Sequence, residues 1–331
     1  MKNKTLVFSL VASTILPLGL GTFFLFAGAA NSNNLSFLHP TENKKKTDYK
    51  ETYIKSYLSS RNSSDLDFSE KTVNSNVNPQ PKTNALSAIA VSLNNNAILF
   101  AKDYKRKLPI ASLTKMMTAV VALEHQNLKK EVIVSQKAAN IGENVMGISE
   151  GETYTLEELL YGLFLHSGND ASYAIAGDVA ETSEVFTSFM NFKAKELNLT
   201  DTHFSDPSGL DDNNQSTAYD LAKLTKYALQ NPDFKRIVAT VNYVILSSEK
   251  HKYLPLSNQT NLLTTYPGVK GVKTGYTEKA NMCLITYAEN NGQEIIGVVL
   301  GSNSRKADMV NMLDFSYQQL GIKIHHPLLD L

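Results

Sequence analysis

The chain has one cysteine, Cys283, among 331 residues, which excludes an intramolecular disulfide and leaves no lipid-attachment cysteine behind its N-terminal apolar stretch. Stability must therefore come from a packed core. Cys283 lies in the apolar stretch Met282 to Ile285 and reads as a small buried hydrophobe. An excess of charge is missing as well: 32 Lys and Arg balance 32 Asp and Glu, so net charge points to no nucleic acid or other polyanion. There is no internal repeat and no zinc-like spacing of histidines with acidic residues. What is present is enough apolar material, 42% of the chain, to bury a sizeable core as one large domain or two ordinary ones.

The first thirty residues differ from the rest. Lys2 and Lys4 precede a mainly apolar run from Leu6 to Ala30 that ends in Ala27-Gly28-Ala29-Ala30, the pattern of an export signal. The run is long enough to span a bilayer, but Pro17, Gly19 and Gly21 interrupt it, so residues 1–30 are expected to be a cleaved signal peptide or an uncleaved N-terminal anchor. Any membrane contact is expected there alone, which places the rest outside the cytoplasm, secreted or tethered. Residues 31–83, rich in Asn, Ser, Lys and Thr, read as a flexible polar linker, with a short amphipathic turn around Tyr49, Tyr53, Ile54 and Tyr57.

A folded domain is expected over residues 84–322. Ala88 to Leu93 and Ala97 to Ala101 are β-prone runs around Asn94-Asn95-Asn96, a hairpin. Helical patterns follow at Leu113 to His125, Leu156 to His166, Ala171 to Ala180, Val185 to Leu197 and Ala218 to Leu229. The second is opened by the capping box Thr155-Leu156-Glu157-Glu158, and the last has Thr217 as its cap. Strand patterns return at Val241 to Leu246, Asn281 to Ala288 and Gln293 to Leu300, before a closing helix from Arg305 to Leu320. The expected class is α+β: an antiparallel sheet built from both chain ends and flanked by helices, with an adjacent all-helical lobe. Residues 323–331 are a short tail without room for a second folded domain.

Three short motifs carry the chemistry. In Ser112-Leu113-Thr114-Lys115, residues three apart share a helix face, so the Lys115 amine reaches the Ser112 hydroxyl. A serine needs an adjacent base, and a lysine serves only when neutral, through desolvation or nearby positive charge. Ser167-Gly168-Asn169 follows a helix end, where Ser167 can relay a proton to a leaving amine and Asn169 can hold a substrate carbonyl. In Lys273-Thr274-Gly275, the lysine supplies fixed positive charge, the threonine a hydroxyl, and the glycine close approach at a strand edge. Taken singly, each has a plainer explanation: a helix cap with a solvated lysine, a polar interhelical turn, a Gly-rich turn. Their joint presence in this order argues for a single site.

The same triplet of motifs marks β-lactamases and penicillin-binding proteins. From about residue 84 to 320 the chain resembles the low-molecular-mass penicillin-binding proteins, the serine-type D-alanyl-D-alanine carboxypeptidases of the peptidase S11 family. The likeness extends through the stretches Leu108 to Ala119, Asn169-Asp170-Ala171, Asp206-Pro207-Ser208-Gly209-Leu210 and Tyr266 to Thr277. The resemblance implies a fold of the β-lactamase/transpeptidase type and removal of the terminal D-alanine from peptidoglycan stem pentapeptides through an acyl-enzyme on Ser112. It also implies acylation by β-lactams and a part in cell-wall maturation. In that reaction Lys115 is the general base, and Ser167 and Asn169 are the proton relay and orienting residue. Lys273, Thr274, Gly275 and Thr277 contact the substrate, and the backbone N–H groups of Ser112 and Tyr276 form the oxyanion hole. No metal or organic cofactor is implied, and His166 reads as packing.

Two departures bear on the expectation. Gly168 stands where these carboxypeptidases most often have Ala, and Asn258 to Val272 contains no arginine of the kind that helps some relatives bind the terminal carboxylate. Carboxylate binding is therefore expected to lean on Lys273, Thr274 and Thr277. A class A β-lactamase needs a glutamate to activate the deacylating water, and His203 to Asp212 offers aspartates only. Endopeptidase or transpeptidase activity on the same scaffold stays open, as does, more remotely, a catalytically silent peptidoglycan-binding protein. Intact Ser112, Lys115, Ser167, Asn169 and Lys273 argue against the last.

Overall fold

A computed structural model describes residues 63–69 and 80–327. The N-terminal apolar run, its cleavage site and the turn near Tyr53 lie outside them.

Strands β1 (Ser87–Ser92) and β2 (Ile98–Lys102) from the front of the domain join β3 (Val269–Thr277), β4 (Asn281–Asn290) and β5 (Gln293–Ser302) from its end. They form one five-stranded sheet in the order β2-β1-β5-β4-β3, each neighbour pair antiparallel. The register explains why these strands read as nearly unbroken apolar runs. Ile89, Val298 and Ile285 align across three strands and face the helical lobe. Their neighbours Ala88, Val299 and Leu284 align on the opposite face, against Met309, Met312 and Leu313. Successive side chains point to opposite faces, and here both faces are covered, so alternation with polar residues disappears.

The helices are α1 (Lys115–His125), α2 (Leu156–Leu165), α3 (Asn169–Ala180), α4 (Ser183–Glu196), α5 (Ala218–Ala228), α6 (Pro232–Val238) and the closing α7 (Arg305–Gln319). Local chemistry sets their starts. Thr155 and Glu158 form the reciprocal capping box of α2, Thr182 accepts from Val185 N–H at α4, and Thr217 accepts from Asp220 N–H at α5. Helix α1 is buried from Lys115 through Ala122 and runs through the helical lobe. A helix buried along that length displays no polar face, and its one charged residue there must be compensated by the lobe around it.

Three sequence expectations shift. Val241 to Leu246 does form a strand, Asn242–Ile245, but it pairs with Leu254–Ser257 in a separate two-stranded ribbon and not with the main sheet. The lysine motif, expected at a strand edge, lies inside the edge strand β3, which already begins at Val269; Gly and Lys are poor strand formers, so the residues before Lys273 carried no strand pattern. Finally, Ser63 to Ser69, read as part of the linker, packs on the domain. Leu66 and Phe68 are buried, Ser69 bridges Ala97 in parallel, and Asp67 pairs with Lys223 at 2.9 Å. Among the described residues no helix is long and apolar enough to cross a membrane.

Candidate active site

Ser112 sits in a single 3-10 turn, Ala111–Thr114, that leads directly into α1. Ala111 adopts φ +48, a left-handed conformation unfavourable for a residue with a Cβ, and this turns the next residue, Ser112, out of the helix line. Two glycines make room for the turn. A Cβ on Gly209 would meet the Ala111 carbonyl oxygen at 2.0 Å, and one on Gly275 would lie 3.2 Å from the Ser112 nitrogen. The sheet edge and the loop after α4 therefore both press their backbones against the Ser112 turn.

Lys115 is fully buried at the start of α1. Its Nζ lies 2.7 Å from Asn169 Oδ1, 2.7 Å from the Ser208 carbonyl oxygen and 3.1 Å from Ser112 Oγ. The Asn169 amide is oriented by its other end, where Nδ2 donates to the Gly142 carbonyl at 3.0 Å. Burial pulls the Lys115 amine down to about 7, against the opposing pull of Asp206, Asp170 and Glu143. Desolvation thus acts in the direction that a neutral lysine requires.

Ser167, also left-handed at φ +57, links the end of α2 to the start of α3. Its Oγ accepts a 3.0 Å bond from Lys273 Nζ, which also donates to the Thr274 carbonyl at 2.9 Å. Lys273 is buried, and burial followed by repulsion from Lys115 and Arg305 holds its amine well below the ordinary lysine range. Ser112, Lys115 and Asn169 thus form one bonded group, Ser167 and Lys273 a second, and the short Ser167-Gly168-Asn169 segment joins them. Thr274 is buried beside them, and Tyr276 is exposed. The Thr277 hydroxyl is engaged elsewhere, donating to Asp212 at 2.6 Å and accepting from Ala280 N–H at 3.0 Å.

Residues not singled out in the sequence complete the site. The Asp170 carboxylate accepts main-chain N–H groups of Met146, Gly147 and Ile148 and so holds the loop whose Gly142 carbonyl orients Asn169. Asp206 organises the turn that presents the Ser208 carbonyl to Lys115. Arg305, half-buried at the first position of α7, donates from Nη1 to the Gly275 carbonyl at 2.8 Å. No arginine lies in Asn258 to Val272, ahead of the lysine motif; this one comes from thirty residues beyond Gly275 in the chain. Cys283 is buried, which pushes its thiol up to about 11 and makes it inert.

A sequence model of the D-alanyl-D-alanine carboxypeptidases, Peptidase S11, matches residues 73–304. A Bacillus subtilis D-alanyl-D-alanine carboxypeptidase is 35% identical over 253 residues, 74% of this chain and 64% of that protein, slightly under two thirds of its length. A Mycobacterium tuberculosis D-alanyl-D-alanine carboxypeptidase is 34% identical over 221 residues, 66% of this chain and 75% of that one. An Escherichia coli D-alanyl-D-alanine endopeptidase is 29% identical over 236 residues. Among solved structures, the Streptomyces K15 DD-transpeptidase superposes with a TM-score of 0.70 at 30% identity, covering 73% of this chain and all of that one.

Proposed function

The chain belongs to the D-alanyl-D-alanine carboxypeptidase family, Peptidase S11, and from that premise we propose that it hydrolyses the terminal D-Ala-D-Ala bond of peptidoglycan stem peptides by way of Ser112. Within that reading it works outside the cytoplasm, at the cell envelope, and β-lactams acylate the same serine.

The observation that carries the reading is the set of partners around Lys115. A neutral amine has two N–H donors and one lone pair. Two carbonyl oxygens, Asn169 Oδ1 and Ser208 O, take the donors at 2.7 Å, which leaves the lone pair for the Ser112 hydroxyl at 3.1 Å. The Ser112 proton passes to Lys115 as Oγ bonds to the carbonyl carbon of the penultimate D-alanine. The C–N bond then breaks, and the leaving amine takes the proton held by Lys115, relayed through Ser167, whose oxygen is held by Lys273. Water hydrolyses the resulting ester and restores Ser112. Backbone N–H groups of Ser112 and Tyr276 stabilise the oxyanion. Arg305 supplies positive charge and Lys273 and Thr274 supply hydrogen-bond donors for the terminal carboxylate, and Arg305 answers the missing upstream arginine.

The β-lactamase alternative needs a free carboxylate to activate water. Asp206, the buried acid of the relevant loop, already accepts from Ser208, Gly209, Asp211 and Asn214, so its lone pairs are committed. Incubation of the purified protein with a labelled penicillin and with a peptide ending in D-Ala-D-Ala tests the proposal. The expected result is a stable adduct on Ser112 and release of D-alanine. No adduct and no D-alanine would falsify it, whereas rapid penicillin turnover would favour a β-lactamase and cleavage of cross-linked peptides an endopeptidase.

A further inference from the structure

We propose that Asp206 is a positioning residue for Lys115: its carboxylate builds the turn that holds the Lys115 amine, and its uncancelled negative charge acts on that amine. The inference deepens the reading of Ser112 and Lys115 as nucleophile and base, and rests on it.

The turn is assembled around one side chain. Asp206 Oδ1 accepts from Ser208 N–H at 2.5 Å, Gly209 N–H at 2.7 Å and Ser208 Oγ at 2.8 Å, and Oδ2 accepts from Asp211 N–H at 2.6 Å and Asn214 Nδ2 at 3.0 Å. A short segment with this many main-chain groups fixed by one carboxylate has little freedom left. The turn then delivers two carbonyls to one face of α1: Ser208 O to Lys115 Nζ at 2.7 Å, and Pro207 O to Thr118 Oγ1 at 2.6 Å. Its Gly209 lies against the backbone of Ala111 and Ser112. Nucleophile, base and turn are therefore one packed unit, and the position of Lys115 follows that of Asp206.

The charge argument is separate. The donors to Asp206 named above are all neutral, so its negative charge is solvated by dipoles and not cancelled by a bonded cation. In a buried site such a charge acts strongly on its surroundings. The charged groups facing Lys115 are Asp206, Asp170 on α3, Glu143 on the loop before α2, and Lys273 on β3. Around Asp206 itself stand Tyr173 of α3 and Asp211. Burial alone would leave Lys115 a weaker base than it is. Asp206, the largest of the opposing influences, draws it back towards neutral pH, where a general base is most effective.

The sign follows directly. Negative charge favours the protonated amine, so removing it lets Lys115 lose its proton at lower pH. The test measures the second-order rate constant for acylation by a penicillin against pH, for wild type, Asp206→Asn, Asp206→Ser, Asp206→Glu and Ser208→Ala, with folding followed by circular dichroism. In the two neutral variants the acid limb is expected to move down by roughly one pH unit, while the plateau rate falls because the base is weaker and less well held. Asp206→Glu keeps the charge and is expected to keep the limb at the wild-type position, whatever its plateau; Ser208→Ala should leave the limb in place as well. Using two neutral substitutions of different size means the result does not hinge on one of them folding. A lowered plateau with an unmoved limb in the neutral variants overturns the proposal and reduces Asp206 to a structural part of the turn. Failure of wild type to acylate at all is a different result, and sinks the assignment of Ser112 and Lys115 instead.

Discussion

Lys115 Nζ lies closer to the Asn169 side-chain oxygen, at 2.7 Å, than to the Ser112 hydroxyl it serves, at 3.1 Å. Its two shortest contacts hold it in place, and the longest is the one through which it would act on Ser112. With the amine at about 7, acylation is expected to rise through about pH 7 as Lys115 loses its proton, and to fall below it. The pH profile of penicillin acylation under single-turnover conditions measures this. A rate independent of pH between 5 and 9 would contradict Lys115 as base.

Lys115→Arg keeps a long cationic side chain but not a base, because a guanidinium does not give up its proton in proteins. Loss of general-base catalysis costs about 10²- to 10⁴-fold. The variant is expected to acylate slower by that factor, and Ser112→Ala to form no adduct; intact-protein mass spectrometry after β-lactam exposure distinguishes them. Near-wild-type acylation by Lys115→Arg would remove the proton-acceptor role.

Much of this architecture was readable from local patterns, and what was not follows a physical rule. Thr155 and Thr217 announce α2 and α5 because a cap is a contact between near neighbours in sequence. The spacing of Ser112 and Lys115 is legible for the same reason. The start of strand β3 was not, since Val269-Lys270-Gly271-Val272 owes its extended form to pairing with β4 and not to its own residues. Asp170, Asp206 and Arg305 act on groups reached only through the fold: Asn169 by way of a loop, Lys115 by way of a turn, β3 from the far side of two strands. The packing of Phe68 on α5 likewise depends on Tyr219 and Lys226, about 150 residues away, so its polar neighbours alone suggested a linker.

Arg305 spends one donor on the Gly275 carbonyl and keeps others for a ligand. Charge-assisted hydrogen bonds of this kind contribute about 1.5–3 kcal/mol, or roughly 10- to 100-fold. Arg305→Leu is expected to lower kcat/KM for a D-Ala-D-Ala peptide by that factor and to leave cleavage of the C-terminally amidated peptide almost unchanged. Equal losses on both substrates would assign Arg305 to supporting β3 alone.

The segment Ser63 to Ser69 is held by Leu66, Phe68 and a ring-edge contact between Phe68 and Tyr219 at 6.2 Å. Buried Phe→Ala changes in cores cost about 3–5 kcal/mol, and a peripheral strap of seven residues can release locally, so Phe68→Ala is expected to cost about 1–3 kcal/mol. Urea denaturation gives the stability change, with penicillin acylation as the control that the site is intact. An unchanged midpoint would mean the strap adds nothing to the domain.

Gly209 is the position where backbone geometry and catalysis meet. It has φ +87, and a Cβ there would stand 2.0 Å from the Ala111 carbonyl oxygen and 2.9 Å from the Ser112 nitrogen, both main-chain atoms that cannot rotate away. Gly209→Ala therefore has to push the nucleophile's turn off the Asp206 turn, in addition to the ordinary cost of a left-handed alanine, about 1–2 kcal/mol. Displacing Ser112 relative to Lys115 by even an ångström is enough to cost roughly 10²-fold in rate. The variant is expected to lose that much acylation with a lower melting temperature. The adjacent Leu210→Ala, at a half-buried position whose N–H bonds to Ser208 Oγ, changes the side chain without touching Ala111 and should retain most of the rate. If both variants acylate alike, the contact between the two turns has no part in placing the nucleophile.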